Sequence, residues 1–220
     1  MVIKSQVNKS AKEVEVMKGL FVCLVTVAMV SNCSWYIFQI RRHKIFPALS
    51  TWIIFVSGTS LGLVTYALAE NRDFQSGILN TADAAACLAT MIAIMIWSKS
   101  GFKLKLFEKW YLGAAGLIII YGVVSGDAWG SNIFTQVLIS VGYVPTIQNL
   151  IDEKRNTESF LAWGLSLLTS TLSLYPAFIG GNTLSAIYSV RSIVSIVCML
   201  SIMAYYQFRS SKPVLAKIDS

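Results

Sequence analysis

Long apolar runs alternate with short polar segments along the whole chain. Seven of these runs come close to the roughly 20 residues that a helix needs to cross a hydrocarbon core of ~30 Å. They cover residues 19–39, 47–69, 77–98, 110–125, 131–151, 160–179 and 184–208. The fourth run is the shortest. The pattern predicts an all-α integral membrane protein with seven spans.

Composition favours the same class. Hydrophobic residues make up 55% of the 220 residues and charged residues only 13%, which is unlike a soluble domain of this length. Residues 1–18 are polar and do not resemble a cleaved signal peptide, because no small-residue cleavage pattern follows a short apolar core. We expect this segment to form an N-terminal arm, either amphipathic or disordered. The net charge of +7 indicates contact with anionic lipid and not with nucleic acid.

The distribution of Lys and Arg predicts the orientation in the membrane. Twelve of the 18 basic residues fall in the connections on one side, five fall in the arm and in the connections on the other side, and Arg191 lies within a span. Basic residues accumulate on the cytoplasmic side. The count therefore predicts an external N-terminus and a cytoplasmic tail at 209–220.

Two junctions between spans share a pattern. "WYIFQIRRHKIFPALSTWIIFVSGTSLGL" and "GYVPTIQNLIDEKRNTESFLAWGLSLLTSTLSL" both pass from a Gln (Gln39, Gln148) through a basic turn to a Trp (Trp52, Trp163) that opens a hydroxyl-rich helix. Such internal similarity predicts two three-helix units. The predicted bounds are 19–98 for the first unit, 99–129 for a loop and linker helix, and 130–208 for the second unit. An odd number of spans between them gives both units the same orientation.

The segment "YVPTIQNLIDEKRNTESFLAWGL" resembles the PQ-loop signature, and the three-plus-one-plus-three arrangement resembles the SWEET sugar transporters and their PQ-loop relatives. The second unit has Thr146 directly after Pro145, where the signature has Gln, and the first unit has Phe38 where Pro would stand. The resemblance implies a carrier that works by alternating access.

The resemblance also implies functional positions. An Asn in the third helix of each unit and an aromatic residue in the second would bind substrate; these positions correspond to Asn80, Arg191 and Tyr175. In the first unit the aromatic position is occupied by Val64. The implied hinge or gating residues are Pro145, Pro176, Gln39 and Gln148.

Two charges inside apolar runs, Asp83 and Arg191, carry the rest of the site prediction. Asp83 lies three residues after Asn80, so the two share one side of a helix. A charge at the bilayer centre costs on the order of 3 kcal/mol, so an unpaired charge facing lipid is disfavoured. Three alternatives stay open: a structural ion pair between Asp83 and Arg191, a substrate site in which Arg191 anchors a solute and Asp83 couples to protons, and a register that places one residue near the membrane surface.

The sequence therefore predicts a small-solute membrane transporter whose substrate is a sugar or another small polar or anionic solute. The alternatives are a carrier for a vitamin precursor similar to nicotinamide riboside, and a scaffold or receptor that transports nothing. No enzyme motif, metal cluster or cofactor site is expected, and the last span has no Lys for a retinal Schiff base. The expected partners are a small solute and the lipid bilayer, with self-association left open.

Overall fold

The computed structural model describes residues 2–47, 49–68, 73, 75–97 and 106–210. The loop at 98–105 and the tail from 211 onwards lie outside the described residues. Within the described residues the secondary structure consists of helices, without strands. The helices are α1 (Val2–Arg41), α2 (Leu49–Leu68), α3 (Ile78–Trp97), α4 (Leu106–Ser125), α5 (Ala128–Val141), α6 (Val144–Glu153), α7 (Phe160–Ile179) and α8 (Thr183–Ser210).

Five of the described helices are long and apolar enough to cross a membrane: α1 from Lys12 onwards, α2, α3, α7 and α8. The segment Lys109–Ser125 of α4 is apolar but shorter. The prediction of an all-helical membrane protein is confirmed at this level.

The N-terminal arm differs from the expectation. α1 begins at Val2 and continues to Arg41 as one helix of 40 residues, so most of the predicted arm is continuous with the first span. Residues 1–18 contain neither Pro nor Gly, the two residues that interrupt helices most strongly, and nothing in the arm forces a break.

The predicted span at 131–151 is divided into α5 and α6. Pro145 occupies the first turn of α6, where it has no amide hydrogen to donate to the preceding helix. The amide of Gly142 still bonds to the carbonyls of Leu138 and Ile139, so the backbone turns at Gly142 and Tyr143 and then resumes as a helix. Asp127 caps the start of α5 by accepting a hydrogen bond from Gly130 at 2.8 Å.

Six helices form a closed ring through their contacts. Its order is α1, α3, α2, α5, α8 and α7, and α7 returns to contact α1. α4 lies outside the ring against α2 and α5. Gly58 permits the close approach of α2 and α5, because a Cβ at this position would lie 2.7 Å from the side chain of Ile139. The ring encloses the central space in which the candidate site lies.

Candidate functional site

A cavity of about 80 Å³ lies at the centre of the ring. Side chains of α1, α2, α3, α5, α7 and α8 line it, together with Tyr143 at the α5–α6 break. Its lining includes two charged side chains, Asp83 and Arg191. Hydroxyl groups surround them: Thr59, Thr90, Ser166, Thr169, Ser170 and Ser192. The walls can therefore form hydrogen bonds and carry both signs of charge.

Asp83 is held by a tyrosine from the opposite helix. The Tyr188 hydroxyl on α8 donates a hydrogen bond of 2.5 Å to Asp83 Oδ2 on α3. Cys87, one helical turn further along α3, places its thiol 3.8 Å from Asp83 Oδ1. Tyr188 is only 1% exposed, so the position of this hydroxyl is fixed by packing.

Arg191 reaches the same tyrosine from the other side. Its guanidinium carbon lies 4.7 Å from the centroid of the Tyr188 ring, a distance at which a cation is attracted to the ring face. Arg191 Nε donates to Gln136 Oε1 at 3.0 Å. Arg191 Nη1 is buried and has no hydrogen-bond partner among the described residues. The site thus holds one guanidinium donor available to a ligand.

Asp83 and Arg191 do not form a direct ion pair, because no carboxylate oxygen lies within 4.0 Å of a guanidinium nitrogen. The ion pairs among the described residues are Lys18–Asp73 and Arg155–Glu153. Tyr188 contacts both charged groups. Of the three alternatives left open by the sequence, the direct ion pair is therefore not formed in this structure, and the two charges share a cavity.

Gln136 connects Arg191 to a polar network between helices. Its amide donates to Asn132 Oδ1 at 3.1 Å, and Asn132 Nδ2 in turn donates to the Gly62 carbonyl and to Thr65 Oγ1. The network runs from α8 through α5 to α2. It holds Arg191 in place without neutralising its charge.

Asn80 and Tyr175, the other two predicted substrate residues, do not line the cavity. Asn80 is 2% exposed, and both atoms of its amide group lack partners among the described residues. Tyr175 stacks on Phe21 of α1, with ring centroids 4.3 Å apart. Of the four predicted substrate residues, the structure brings Asp83 and Arg191 together at the cavity.

Residues at equivalent positions of the two predicted three-helix units line this cavity. An offset of 111 relates Trp52 of α2 to Trp163 of α7 and Thr59 to Ser170, and all four residues line the cavity. For α3 and α8 the buried positions follow an offset of 109 instead: Leu79 and Tyr188, Asn80 and Ser189, Cys87 and Ile196, Ile94 and Met203 are buried pairs. By this offset Asn80 corresponds to Ser189 and not to Arg191.

One end of the cavity, which we call the Glu158 end, is closed by a buried carboxylate. Glu158 Oε2 accepts hydrogen bonds from the Tyr36 hydroxyl at 2.6 Å and from Trp163 Nε1 at 3.3 Å. Tyr36 and Trp163 both line the cavity, and the ring of Trp52 packs on that of Tyr36. Burial raises the pKa of the Glu158 carboxyl to about 7, although both hydrogen bonds act in the opposite direction.

At the opposite end of the helix ring, beyond the cavity lining, an ion pair and a hydrogen bond tie the helices together; we call this the Asp73 end. Lys18 of α1 pairs with Asp73. Ser76 Oγ donates to the Pro176 carbonyl of α7 at 2.9 Å. Burial acts to raise the pKa of Asp73, but the hydrogen bonds from Lys18 and Ser76 outweigh it and hold the pKa below its usual value. Since Lys18 and Tyr36 are 18 residues apart on α1, the contacts at the Glu158 end and those at the Asp73 end are separated by about 27 Å along the bundle.

The predicted hinge residues fall outside the cavity lining. Pro145 begins α6 at the break, and Pro176 lies within α7 at the Asp73 end. Gln148 is exposed on α6. Gln39 is partly buried near the end of α1, and its Oε1 has no partner among the described residues.

The contact of Glu158 with Tyr36 and Trp163 was not predicted from the sequence. The signal was a carboxylate directly before Ser159, the N-cap of α7, and five residues before a Trp. A search restricted to charges within the apolar runs passes over such a residue in a connection.

Comparison with family models and with curated proteins finds no match for this chain.

Proposed function

We propose that the protein is a small-solute carrier of the SWEET or PQ-loop type, with seven spans arranged as three, one and three. One observation carries the proposal: the Asp83 carboxylate and the Arg191 guanidinium share a polar cavity inside the helix ring without forming a direct ion pair. In this arrangement α5 and α6 together form the fifth, bent span, and α4 is the linker.

The helix contacts support two equivalent units. If α1 is exchanged with α5, α2 with α7 and α3 with α8, every pair of neighbouring helices in the ring becomes another pair that is also in contact. In each unit the third helix lies between the other two: α3 contacts α1 and α2, and α8 contacts α5 and α7. This symmetry fits two parallel repeats facing each other across the cavity.

The closures fit alternating access. At the Glu158 end α1 is linked to α7 through Tyr36, Glu158 and Trp163. At the Asp73 end Ser76 donates to the Pro176 carbonyl of α7 across the two units, next to the Lys18–Asp73 pair of the first half. Rocking of one unit against the other breaks one set of contacts while the other set holds. The distribution of basic residues predicts that the Glu158 end faces the cytoplasm.

The cavity volume indicates that this is a closed form. A cavity of roughly 150 Å³ is enough to bind benzene, and the cavity here measures about 80 Å³. A sugar therefore enters only when the units move apart. Arg191 Nη1 and the hydroxyl groups supply donors for an anionic or hydroxyl-rich solute.

A ligand-dependent melting screen tests the proposal. Purified protein is heated with sugars, amino acids, carboxylates and nucleosides, as wild type and as Arg191→Gln. Arg209→Gln is the matched control, because Arg209 lies on the same helix and is exposed. We expect one class of solute to raise the melting temperature of the wild type and the control but not of Arg191→Gln. A wild-type protein that no solute class stabilises contradicts the proposal.

A further inference from the structure

Glu158 is a buried carboxylate that the proposed solute site does not use. Its residue is 5% exposed. Its two hydrogen-bond donors come from different helices, Tyr36 from α1 and Trp163 from α7. In the proposed arrangement these helices belong to different three-helix units. One carboxylate thus links both units at the point where the cavity ends.

The groups that face Glu158 provide no countercharge. α1 presents the Tyr36 hydroxyl, α7 presents the Trp163 ring nitrogen, and Trp52 of α2 lies behind Tyr36. No cation pairs with Glu158 in the part of the chain that the structure describes. A buried carboxylate without a cation carries a desolvation cost that hydrogen bonds only partly offset.

The charged groups of the adjoining elements point to solvent. On the α1–α2 turn the exposed residues are Arg41, Arg42, His43 and Lys44. On α6 and the turn that follows it they are Asp152, Glu153, Lys154 and Arg155. Arg155 pairs with Glu153 at 3.3 Å, so this cation is engaged elsewhere.

We propose that Glu158 is a proton-binding latch: with the proton bound, the cavity stays closed at the Glu158 end, and loss of the proton opens that end to water. The inference rests on the proposed carrier function and adds a proton as a second ligand of the carrier.

The direction of the pH effect follows from the linkage between proton binding and opening of the cavity. In the closed form burial raises the pKa of Glu158 to about 7. In an open form the hydrated carboxyl returns towards its ordinary pKa of 4.5. The form with the higher pKa binds the proton more tightly, so acid favours the closed form. Opening increases as the pH rises through the interval between these two values and levels off above it.

Thiol labelling of the purified, intact protein measures the opening. Cys33 and Cys87 line the cavity, whereas Cys23 and Cys198 are exposed. The assay uses the background Cys23→Ser, Cys198→Ser and a small methanethiosulfonate reagent. Rates are divided by the rate for the same protein unfolded in detergent at the same pH, which removes the general effect of pH on thiol reactivity.

We expect the normalised labelling rate of the wild type to rise by up to about thirtyfold between pH 5.5 and pH 8.5. Glu158→Gln keeps both hydrogen bonds without a charge, so it stays closed and its rate stays flat. The matched control is Asp152→Asn, an exposed carboxylate on α6 outside the Arg155–Glu153 pair, which follows the wild-type profile. His43 is unchanged in all three proteins, so any effect of its charge cancels in the comparison.

Tyr36→Phe provides a second test that keeps the carboxylate. Without the hydroxyl donor the carboxylate is less stabilised, so the rise in labelling extends to higher pH. Equal pH profiles for the wild type and Glu158→Gln overturn the proposal, as does a wild-type rate that falls with rising pH. If Glu158→Gln does not fold, a Tyr36→Phe profile that coincides with the wild type overturns it.

The labelling assay requires no solute, so the two proposals fail separately. A solute that binds at Arg191 together with a labelling rate that does not depend on Glu158 removes the latch and leaves the carrier. A labelling rate that follows Glu158 in a protein that no solute stabilises leaves a proton-sensitive opening and removes the carrier.

Discussion

Tyr188 is the residue whose removal most directly perturbs the charge arrangement of the cavity. Its hydroxyl donates to Asp83 at 2.5 Å, and its ring lies 4.7 Å from the guanidinium carbon of Arg191. Tyr188→Phe deletes the hydroxyl and keeps the ring. The variant therefore tests the hydrogen bond to Asp83 and leaves the contact with Arg191 in place.

The loss of stability expected for Tyr188→Phe depends on the charge of the acceptor, Asp83, and on the membrane environment of the hydrogen bond. A hydrogen bond to a charged group contributes about 1.5 to 3 kcal/mol in soluble proteins. Measured values between membrane helices are smaller, with a mean near 0.6 and a maximum near 1.7 kcal/mol. Since the donor is buried and the acceptor is a carboxylate, we expect Tyr188→Phe to lower the free energy of unfolding by about 1 to 2 kcal/mol.

The assay is reversible unfolding in mixed detergent micelles, followed by circular dichroism. Tyr175→Phe is the matched control, because the Tyr175 ring stacks on Phe21 and its hydroxyl makes no hydrogen bond among the described residues. The effect of Tyr175→Phe should stay below about 0.5 kcal/mol. If Tyr188→Phe is as mild as Tyr175→Phe, the hydroxyl does not hold Asp83, and the proposed division of the cavity into two separated charges is wrong.

Three further predictions concern single positions. Asp73→Asn removes the ion pair with Lys18 and lowers the melting temperature at neutral pH. Because the pKa of Asp73 is held below its usual value, the difference in melting temperature between Asp73→Asn and the wild type disappears as the pH falls below about 4. Gly77→Ala places a Cβ 2.6 Å from the Tyr66 ring and is expected to cost about 1 to 3 kcal/mol of unfolding free energy in the same assay. Gly113→Ala on α4 meets nothing within 4 Å and is expected to raise the unfolding free energy by about 0.5 to 1 kcal/mol; a loss of stability at this position contradicts its placement on an open helix face.

The charged part of the site could be predicted from the sequence. A charge inside an apolar run is costly unless the protein encloses it, and this single fact places both Asp83 and Arg191 towards the centre of the bundle. The offset of 111 between Trp52 and Trp163 was visible in the sequence, and both residues line the cavity.

The placement of Asn80 was not predictable in this way. The connection between α7 and α8, from Ile179 to Thr183, is shorter than the connection between α2 and α3, from Leu68 to Ile78. The difference is six residues, but α8 also begins four residues earlier relative to its buried positions than α3 does, so the buried positions match at an offset of 109, not 111. A shift of two positions turns a residue by about 200° around a helix, enough to move it from one face to the opposite one.

The closures at the two ends depend on contacts between residues far apart in sequence. Tyr36 and Glu158 are 122 positions apart, and no local pattern pairs them. A polar residue within an apolar run stands out in the sequence, whereas nothing in the sequence indicates that a carboxylate in a connection will be buried.

Solute counterflow in proteoliposomes tests the central claim most directly. Vesicles are loaded with the solute that stabilises the purified protein and are then exposed to a trace of the same solute in labelled form. A carrier whose cavity opens alternately at its two ends accumulates the label. We predict accumulation with the wild type and with Arg209→Gln, and none with Arg191→Gln. A wild-type protein that binds the solute but accumulates no label is a receptor or scaffold, and that result contradicts the account.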